Sequence, residues 1–136
     1  MNQIYRAKQE GELYFWRYVQ DKNYPGYHMA WANGGDKSFK KFITLLSSSS
    51  TGTYRTLNLT KPNSDVLGVP NNRDNRIEFY SKLKVQISED TDWSLSFEGD
   101  KTTMMLSVKT AKKLSEKISN VKNQLELSFE QISFWW

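Results

Sequence analysis

The sequence of 136 residues contains no cysteine, a single histidine and only 3 prolines. Without cysteine the chain can form no disulfide and offers no thiolate, either as a nucleophile or as a metal ligand. One imidazole cannot build a cluster of histidine ligands. No stretch approaches the roughly 20 apolar residues that cross a bilayer, so we expect no membrane-spanning helix. These absences point away from catalysis, a bound cofactor and a structural metal.

Aromatic residues, in contrast, are abundant, with 5 Trp, 7 Tyr and 7 Phe. Tryptophan and tyrosine carry large, stiff side chains that fill cores and anchor protein interfaces. A chain of this length corresponds to one domain, and it cannot expose all of these rings and stay in solution. We therefore predict a single domain over residues 1–136 that binds another macromolecule and has no small-molecule substrate.

Charge is nearly balanced, with 19 Lys and Arg against 15 Asp and Glu and a formal net charge of +4. So small an excess is common among soluble proteins, and it also suits an acidic partner. Residues 1–11 are polar and lack the apolar segment of a secretory signal. We expect a cytoplasmic protein without membrane association.

The first third of the chain predicts a β-hairpin followed by a helix. Apolar and aromatic residues over 12–20 are typical of a strand covered on both faces, and Pro25-Gly26 presets a turn into a second strand over 27–32. Asp36 is placed to cap a helix, which should end in the run from Ser47 to Gly52. The apolar stripe of that helix is Phe39, Phe42, Ile43 and Leu46.

The middle of the chain predicts strands of period two. Residues 54–59 are expected to form a short strand, and residues 61–76 a long irregular segment. Residues 77–87 are expected to form one strand with a buried face and a solvent-exposed face. The alternation returns over 93–97 and, after the turn at Gly99-Asp100, over 104–108. We expect the last three strands to be antiparallel neighbours.

The last third predicts a second helix and two further strands. Ser107 can cap a helix whose apolar stripe is Ala111, Leu114, Ile118 and Val121. Residues 125–129 and 132–136 then alternate with opposite parity, which requires a bulge or turn near Gln131. The expected fold is α+β, a mainly antiparallel twisted sheet packed with two amphipathic helices.

Three local patterns could carry chemistry, and each has a simpler interpretation. His28 has no acid or nucleophile that can be assigned beside it, so an enzyme built on it is the least supported hypothesis. Residues 34–38, Gly-Gly-Asp-Lys-Ser, lack both the Walker spacing and the dinucleotide fingerprint. The carboxylates Glu89, Asp90 and Asp92 lack the ligand spacing of a cation-binding loop. We predict no catalytic, cofactor or metal site.

A lysine-rich face on the second helix supports an alternative function. Its members are Lys109, Lys112, Lys113 and Lys117. Such a face can lie along a nucleic-acid backbone while aromatic residues stack unpaired bases. The chain has no basic-aromatic RNA-binding motif, and a solvated helix face explains the same lysines.

Several segments resemble the small bacterial immunity proteins of contact-dependent growth inhibition and related polymorphic toxin systems. They are Leu13-Tyr14-Phe15-Trp16, Tyr24-Pro25-Gly26-Tyr27-His28, the hairpin that begins at Trp93, and Ile132-Ser133-Phe134-Trp135-Trp136. The resemblance covers residues 11–35 and 93–136. It implies a cytoplasmic, non-enzymatic inhibitor that forms a heterodimer with one cognate toxin, commonly a nuclease.

A protein inhibitor is therefore our main hypothesis, and a nucleic-acid-binding module is the alternative. The residues predicted to contact the partner are aromatic, polar or acidic: Tyr24, Tyr27, His28, Trp31, Glu126, Glu130 and Trp135. Immunity proteins of basic nucleases are often acidic, whereas this chain is basic. Either the toxin presents an acidic surface, or acidic residues such as Glu126, Glu130, Asp90 and Asp92 are concentrated locally.

Overall fold

Strands and helices are interspersed along the chain, as the changes of hydrophobic period predict. The computed structural model describes residues 8–18, 26–61, 77–119, 126–130 and 132–135. In these ranges the elements are β1 (Glu12–Tyr18), β2 (Tyr27–Ala32), α1 (Gly35–Leu46), β3 (Tyr54–Asn58), β4 (Ile77–Phe79), β5 (Lys82–Ile87), β6 (Trp93–Glu98), β7 (Lys101–Leu106), α2 (Val108–Ser119), β8 (Glu126–Phe129) and β9 (Ile132–Trp135).

The strands form two mixed sheets. The first sheet has the order β4-β1-β2-β9-β8 and the second has the order β3-β5-β7-β6. The pairs β2/β9 and β5/β7 are parallel, and the other neighbours are antiparallel. The predicted α+β class, with mainly antiparallel pairing and two helices, is confirmed.

The antiparallel strand pair of the predicted N-terminal hairpin is also confirmed, whereas residues 19–25, which include Pro25 of the predicted turn, lie outside the described residues. Leu13 lies opposite Trp31 and Phe15 lies opposite Met29 in the antiparallel register of β1 and β2. Residues 13–16 are at most 1% exposed, so both faces of β1 are covered. This is the environment that a run of consecutive apolar and aromatic residues predicts.

Residues 77–87 do not form the single strand that their period of two predicts. The chain leaves the first sheet after Phe79 and enters the second at Lys82. In between, the Tyr80 N–H donates to the Phe15 carbonyl over 3.2 Å, and the Ser81 N–H donates to the Asp100 carbonyl over 2.8 Å. Phe79 has the parity of the predicted core face of residues 77–87, but on β4, an edge strand of the first sheet, it is 39% exposed.

The prediction of three antiparallel neighbours is wrong for one pair. The hairpin of β6 and β7 folds so that β7 is the inner strand, parallel to β5, and β6 lies on the edge. Alternation along a strand records which side chains are buried, and it carries no information about which strand lies alongside.

The two helices begin differently. The residue that precedes α1 is Gly34, with φ of 90° and no side-chain cap, so the prediction that Asp36 is the cap is wrong. Asp36 instead lies in the first turn, where a negative charge favours the helix dipole. In α2 the prediction is confirmed, since the Thr110 N–H donates to Ser107 Oγ over 3.1 Å. Val121, predicted on the stripe of α2, lies outside the described residues.

One hydrophobic core joins all the layers. It includes the predicted stripe of α1 and the described members of the α2 stripe, Ala111, Leu114 and Ile118. It also draws Leu13, Met29 and Phe134 from the first sheet and Leu57, Val85 and Met104 from the second. Across the described ranges, neither helix has the length and hydropathy needed to cross a bilayer. The two helices pack against each other, with Thr44 Oγ1 and Ser115 Oγ hydrogen-bonded at 2.7 Å.

The connections agree with the sequence where they are described. Ser47 ends α1 as predicted. The turn expected near Gln131 is present, because β8 and β9 are an antiparallel hairpin with Phe129 opposite Ile132 and a left-handed Glu130, φ 53°. Residues 62–76 of the predicted irregular segment lie outside the described residues.

Candidate functional site

The residues predicted to bind a partner are divided among several parts of the fold. Tyr24 lies outside the described residues. Tyr27, His28 and Trp31 are on β2, and Glu130 is in the turn after β8. The backbone of Trp135 on β9 pairs with Ala30 on β2 and with Glu126 on β8. The first sheet therefore brings three of the predicted segments onto neighbouring strands.

His28 is a core residue in this structure. Its side chain is 1% exposed, and its ring stacks on Trp16 with 5.6 Å between the centroids. Because alternate residues of a strand face opposite ways, His28 lies on the other face of β2 from Tyr27 and Trp31. The side chain of His28 is therefore not at the surface, where the predicted contact with a partner would require it. Among the described residues, no three His, Asp or Glu side chains are grouped to hold a metal ion.

Trp31 is also largely a packing residue. Its ring stacks on Phe134 with 5.6 Å between the centroids and lies 6.0 Å from Phe39, with the rings tilted by 36°. These contacts hold α1 and β9 against β2. The half-buried side chain leaves only part of the indole accessible.

Tyr27 belongs to a set of four rings that joins the two sheets. It stacks on Phe15 at 5.8 Å and on Phe97 at 4.9 Å between centroids. Tyr80 closes the set, at 5.5 Å from Phe15 and 5.2 Å from Phe97. Phe15 is 0% exposed and Tyr80 is 7% exposed, so both are buried, whereas Tyr27 is half-buried and Phe97 is 39% exposed.

An ion pair borders these rings. Arg17 Nε donates to Glu78 Oε2 over 2.6 Å, and the two side chains are 40% and 50% exposed. Burial raises the pKa of Tyr80, with further contributions from neighbouring Tyr27 and Glu78 that Arg17 opposes. The hydrogen bond from Arg17 lowers the pKa of Glu78. We call Arg17, Tyr27, Glu78, Tyr80 and Phe97 the aromatic patch.

The aromatic patch has the composition of an interface hot spot. Tyr and Arg dominate the binding energy of many protein interfaces, and rigid rings lose little conformational entropy on binding. Stacking on both sides holds Tyr27 in place, and the Arg17–Glu78 bond orients the guanidinium. The patch can therefore present an ordered, partly apolar surface to another protein.

Sequence patterns identified Tyr27 but not the other members of the patch. Phe97 shares its parity with Trp93 and Leu95 and was predicted to be in the core. Its exposure follows from its position near the end of β6, which is an edge strand. The sequence predicts the hairpin of β6 and β7 but not which of the two strands lies on the edge, because that depends on which strand pairs with β5.

The packed helices form a second surface, which is strongly basic. The seven exposed lysines of the two helices are Lys37, Lys40 and Lys41 on α1 and Lys109, Lys112, Lys113 and Lys117 on α2. The same helices carry two carboxylates, Asp36 and Glu116. We call these seven lysines the basic face. The sequence predicted the α2 lysines but not that α1, with its own three lysines, packs against α2.

A groove of about 430 Å³ lies at one side of the basic face. It is lined by Asp92, Lys109, Thr110, Lys113, Lys117, Phe129 and Glu130. Glu130, which was predicted to contact a partner, is exposed at its rim. We call this feature the α2 groove.

Exposed aromatic rings do not accompany the basic face. The large apolar side chains exposed in the described part of the chain are Tyr54 at 43%, Phe79 at 39% and Phe97 at 39%. All three lie on strands. Lys84 lies over Tyr54, and Lys61 lies over Phe79. A surface that combines helix lysines with stacking rings is therefore absent from the described residues.

No protein-family model matches the chain, and no curated protein is significantly similar to it.

Proposed function

We propose that the protein is a non-catalytic, cytoplasmic binding domain whose aromatic patch is the main contact with a protein partner. The observation that carries this proposal is the exposed Phe97 ring, held at 4.9 Å from Tyr27 and 5.2 Å from Tyr80 beside the Arg17–Glu78 ion pair. A partner would bury rings that are already ordered, which reduces the entropic cost of association.

The partner that we propose is a cognate bacterial toxin, neutralised by direct binding. This follows from the resemblance of residues 11–35 and 93–136 to immunity proteins. The charge distribution favours one of the two alternatives left by the sequence. Lysines, not carboxylates, are concentrated on the helices, so an acidic surface on the toxin is the complementary one.

Calorimetry tests the proposal with the purified product of the adjacent gene and two matched variants. Phe97→Ala removes the exposed ring of the patch on β6, whereas Phe79→Ala removes a ring with the same 39% exposure on β4 of the first sheet, where its side chain faces the opposite way from that of Glu78. Phe97→Ala should weaken binding by about tenfold or more, because a hot-spot residue contributes about 2 kcal/mol or more. Phe79→Ala should change it by less than about threefold.

Two results would contradict this proposal. One is the absence of any complex with the neighbouring gene product in size-exclusion chromatography. The other is an equal loss of affinity in the two variants, with native circular dichroism for both. Equal losses would mean that the aromatic patch has no special role in the interface.

A second candidate function is nucleic-acid binding through the basic face. The observation in its favour is the presence of seven exposed lysines on two helices that pack together. Anisotropy titrations with labelled single-stranded and duplex oligonucleotides of about 20 nucleotides measure the affinity. The affinity should fall steeply between about 50 and 200 mM salt. Affinity that does not depend on salt, or no binding at the lower salt, would eliminate this candidate.

A further inference from the structure

We infer that the α2 groove binds an extended acidic segment of a protein, with carboxylates at alternate positions. This inference rests on the proposed function, because it assumes a protein partner, and it adds the chemistry of a second contact. The aromatic patch supplies apolar contact area, whereas the α2 groove would select an acidic sequence.

The spacing of three lysines carries the inference. Lys109, Lys113 and Lys117 lie four residues apart on α2, and all three line the groove. Four residues of α-helix rise about 6 Å, so the lysines follow one another along one wall. Alternate side chains of an extended strand are separated by about 7 Å. Acidic residues at alternate positions can therefore each meet one lysine.

The floor of the groove suits an extended backbone. Phe129 is 6% exposed, and its ring packs edge-on against Trp93 with 5.6 Å between centroids. Thr110 is 7% exposed, and its N–H is already bonded to Ser107. Part of the lining is therefore apolar, so the residues between the acidic ones can pack on it.

Two carboxylates on the lining distinguish a peptide from a nucleic acid. Asp92 and Glu130 are exposed and share the groove with the lysines. A nucleic-acid strand carries a charge at every phosphate, about 3.4 Å apart along the helix axis of a duplex, and would place some of them beside these carboxylates. A segment with alternating acidic and neutral or basic residues avoids this repulsion.

Glu130 is held at the rim by an unusual backbone conformation. Its φ of 53° lies in the left-handed region, in the turn between β8 and β9. Such a conformation is unfavourable for a residue with a β-carbon. Its exposed carboxylate follows directly after β8, and it can accept hydrogen bonds from backbone N–H or lysine groups of the bound segment.

The test uses two synthetic peptides of equal composition and a matched pair of protein variants. One peptide alternates Glu with Ser, and the other has its Glu residues in one block. Both are titrated into the 15N-labelled protein, whose amide resonances report the binding position. The variants Lys113→Glu/Lys117→Glu and Lys40→Glu/Lys41→Glu change the net charge equally, and all four lysines are exposed.

If the inference is correct, the alternating peptide shifts the amide resonances of Thr110, Lys113, Phe129 and Glu130 and binds more tightly than the block peptide. Lys113→Glu/Lys117→Glu then weakens binding by about tenfold or more, because two charge pairs are replaced by repulsion. Lys40→Glu/Lys41→Glu weakens it by less than about threefold, through long-range attraction alone.

Three results would overturn the inference: equal losses in the two variants, equal affinity for the two peptides, or shifts spread over α1 as well as α2. An oligonucleotide that displaces the alternating peptide at an equal charge concentration would identify a general polyanion surface instead. None of these results concerns Phe97, so the proposed function is judged separately, by the loss of partner binding in Phe97→Ala.

Discussion

Tyr14 shows how a single buried hydroxyl depends on its neighbour. Its side chain is 1% exposed, and its hydroxyl donates to Glu12 Oε2 over 2.6 Å. Burial, the hydrogen bond to Glu12 and the charge of Glu12 together raise the pKa of Tyr14 from 10.0 to about 12. Each of these effects disfavours the phenolate, which would be buried beside a carboxylate.

This shift predicts a loss of stability at high pH. Below pH 10 the phenol is protonated in both states, so the stabilisation is fully present. Between pH 10 and about 12 the unfolded chain releases this proton while the folded protein keeps it, so the free energy of unfolding falls as pH rises. Two pKa units correspond to at most about 3 kcal/mol.

The measurement is urea unfolding at pH 9 and pH 11 in the wild type and in Tyr14→Phe. Lysines and other tyrosines are common to both proteins, so the difference between them isolates Tyr14. The wild type should lose more stability than Tyr14→Phe over this interval. An equal decline in the two proteins would show that Tyr14 titrates normally.

Two adjacent glycines at the start of α1 meet different physical constraints. A β-carbon on Gly35 would lie 2.1 Å from the Glu12 carbonyl oxygen and 3.1 Å from the Trp31 β-carbon. A β-carbon on Gly34 would meet nothing within 4 Å, but its φ of +90° is unfavourable for other residues. The first constraint is tertiary and the second is local.

We therefore expect unequal effects from the two alanine substitutions. Gly35→Ala should destabilise the protein by about 3 kcal/mol, because the backbone of β1 would have to move away from α1. Gly34→Ala should lower the free energy of unfolding by about 1 kcal/mol, because an alanine is strained in the left-handed conformation. Thermal unfolding of both variants measures the two costs, and a larger effect at Gly34 would contradict the close approach of α1 to β1.

At the scale of elements, the start of α2 depends on one side chain. Ser107 Oγ accepts a hydrogen bond from the Thr110 N–H over 3.1 Å. Ser107→Ala should therefore destabilise the protein by about 1 kcal/mol. Ser119→Ala is the matched control, because its exposed hydroxyl donates to the Ser115 carbonyl at the other end of the helix.

Chemical denaturation of both serine variants provides the measurement. Ser119→Ala should change stability by less than about 0.5 kcal/mol, since the Ser115 carbonyl can bond to water instead. Hydrogen exchange at the Thr110 amide should accelerate in Ser107→Ala alone. Similar losses of stability in Ser107→Ala and Ser119→Ala would show that the N-cap hydrogen bond has no special role.

The elements themselves were largely predictable, since they depend on neighbours within the sequence. The stripe of Phe39, Phe42, Ile43 and Leu46 predicted α1, and all four residues are buried. Their period of three and four suits a helix and no other regular element.

The error at residues 77–87 has the opposite origin. A single alternating pattern spans two strands, and the change of sheet at Tyr80 and Ser81 depends on Phe15 and Asp100, which are distant along the chain.

At the scale of the whole molecule, the two sheets and two helices share one hydrophobic core. Four rings in mutual contact also connect β1 and β2 of the first sheet with β6 of the second. Separation of the sheets would expose residues of both, so neither has a core of its own. We therefore expect cooperative unfolding in a single transition.

Urea unfolding followed by two probes tests this expectation. Tryptophan fluorescence reports the packing around 5 Trp residues, and far-ultraviolet circular dichroism reports the helices and strands. The two curves should share one midpoint. Leu114→Ala creates a cavity beneath α2 and should lower the free energy of unfolding by about 2 kcal/mol or more. Both curves should then shift to the same lower urea concentration. Separate midpoints would indicate that the sheets unfold independently.

The candidate surfaces were much less predictable than the elements. Tyr27 and Glu130 were identified from the sequence, and the structure places one in the aromatic patch and the other in the α2 groove. His28 was identified too, but its ring is buried against Trp16. The type of a residue indicates what it can contact, whereas its exposure depends on which other elements cover it.

Composition and periodicity by themselves determined the α+β class, both helical stripes, the N-terminal hairpin and the cap at Ser107. Each of these depends on residues close along the chain, where local geometry and burial act together. Only the tertiary structure decided that the strands divide into two sheets, that Phe97 is exposed, and that the lysines of α1 and α2 lie on adjacent helices. Those features depend on pairing and packing between distant segments, and no periodic pattern records which distant segment a residue will meet.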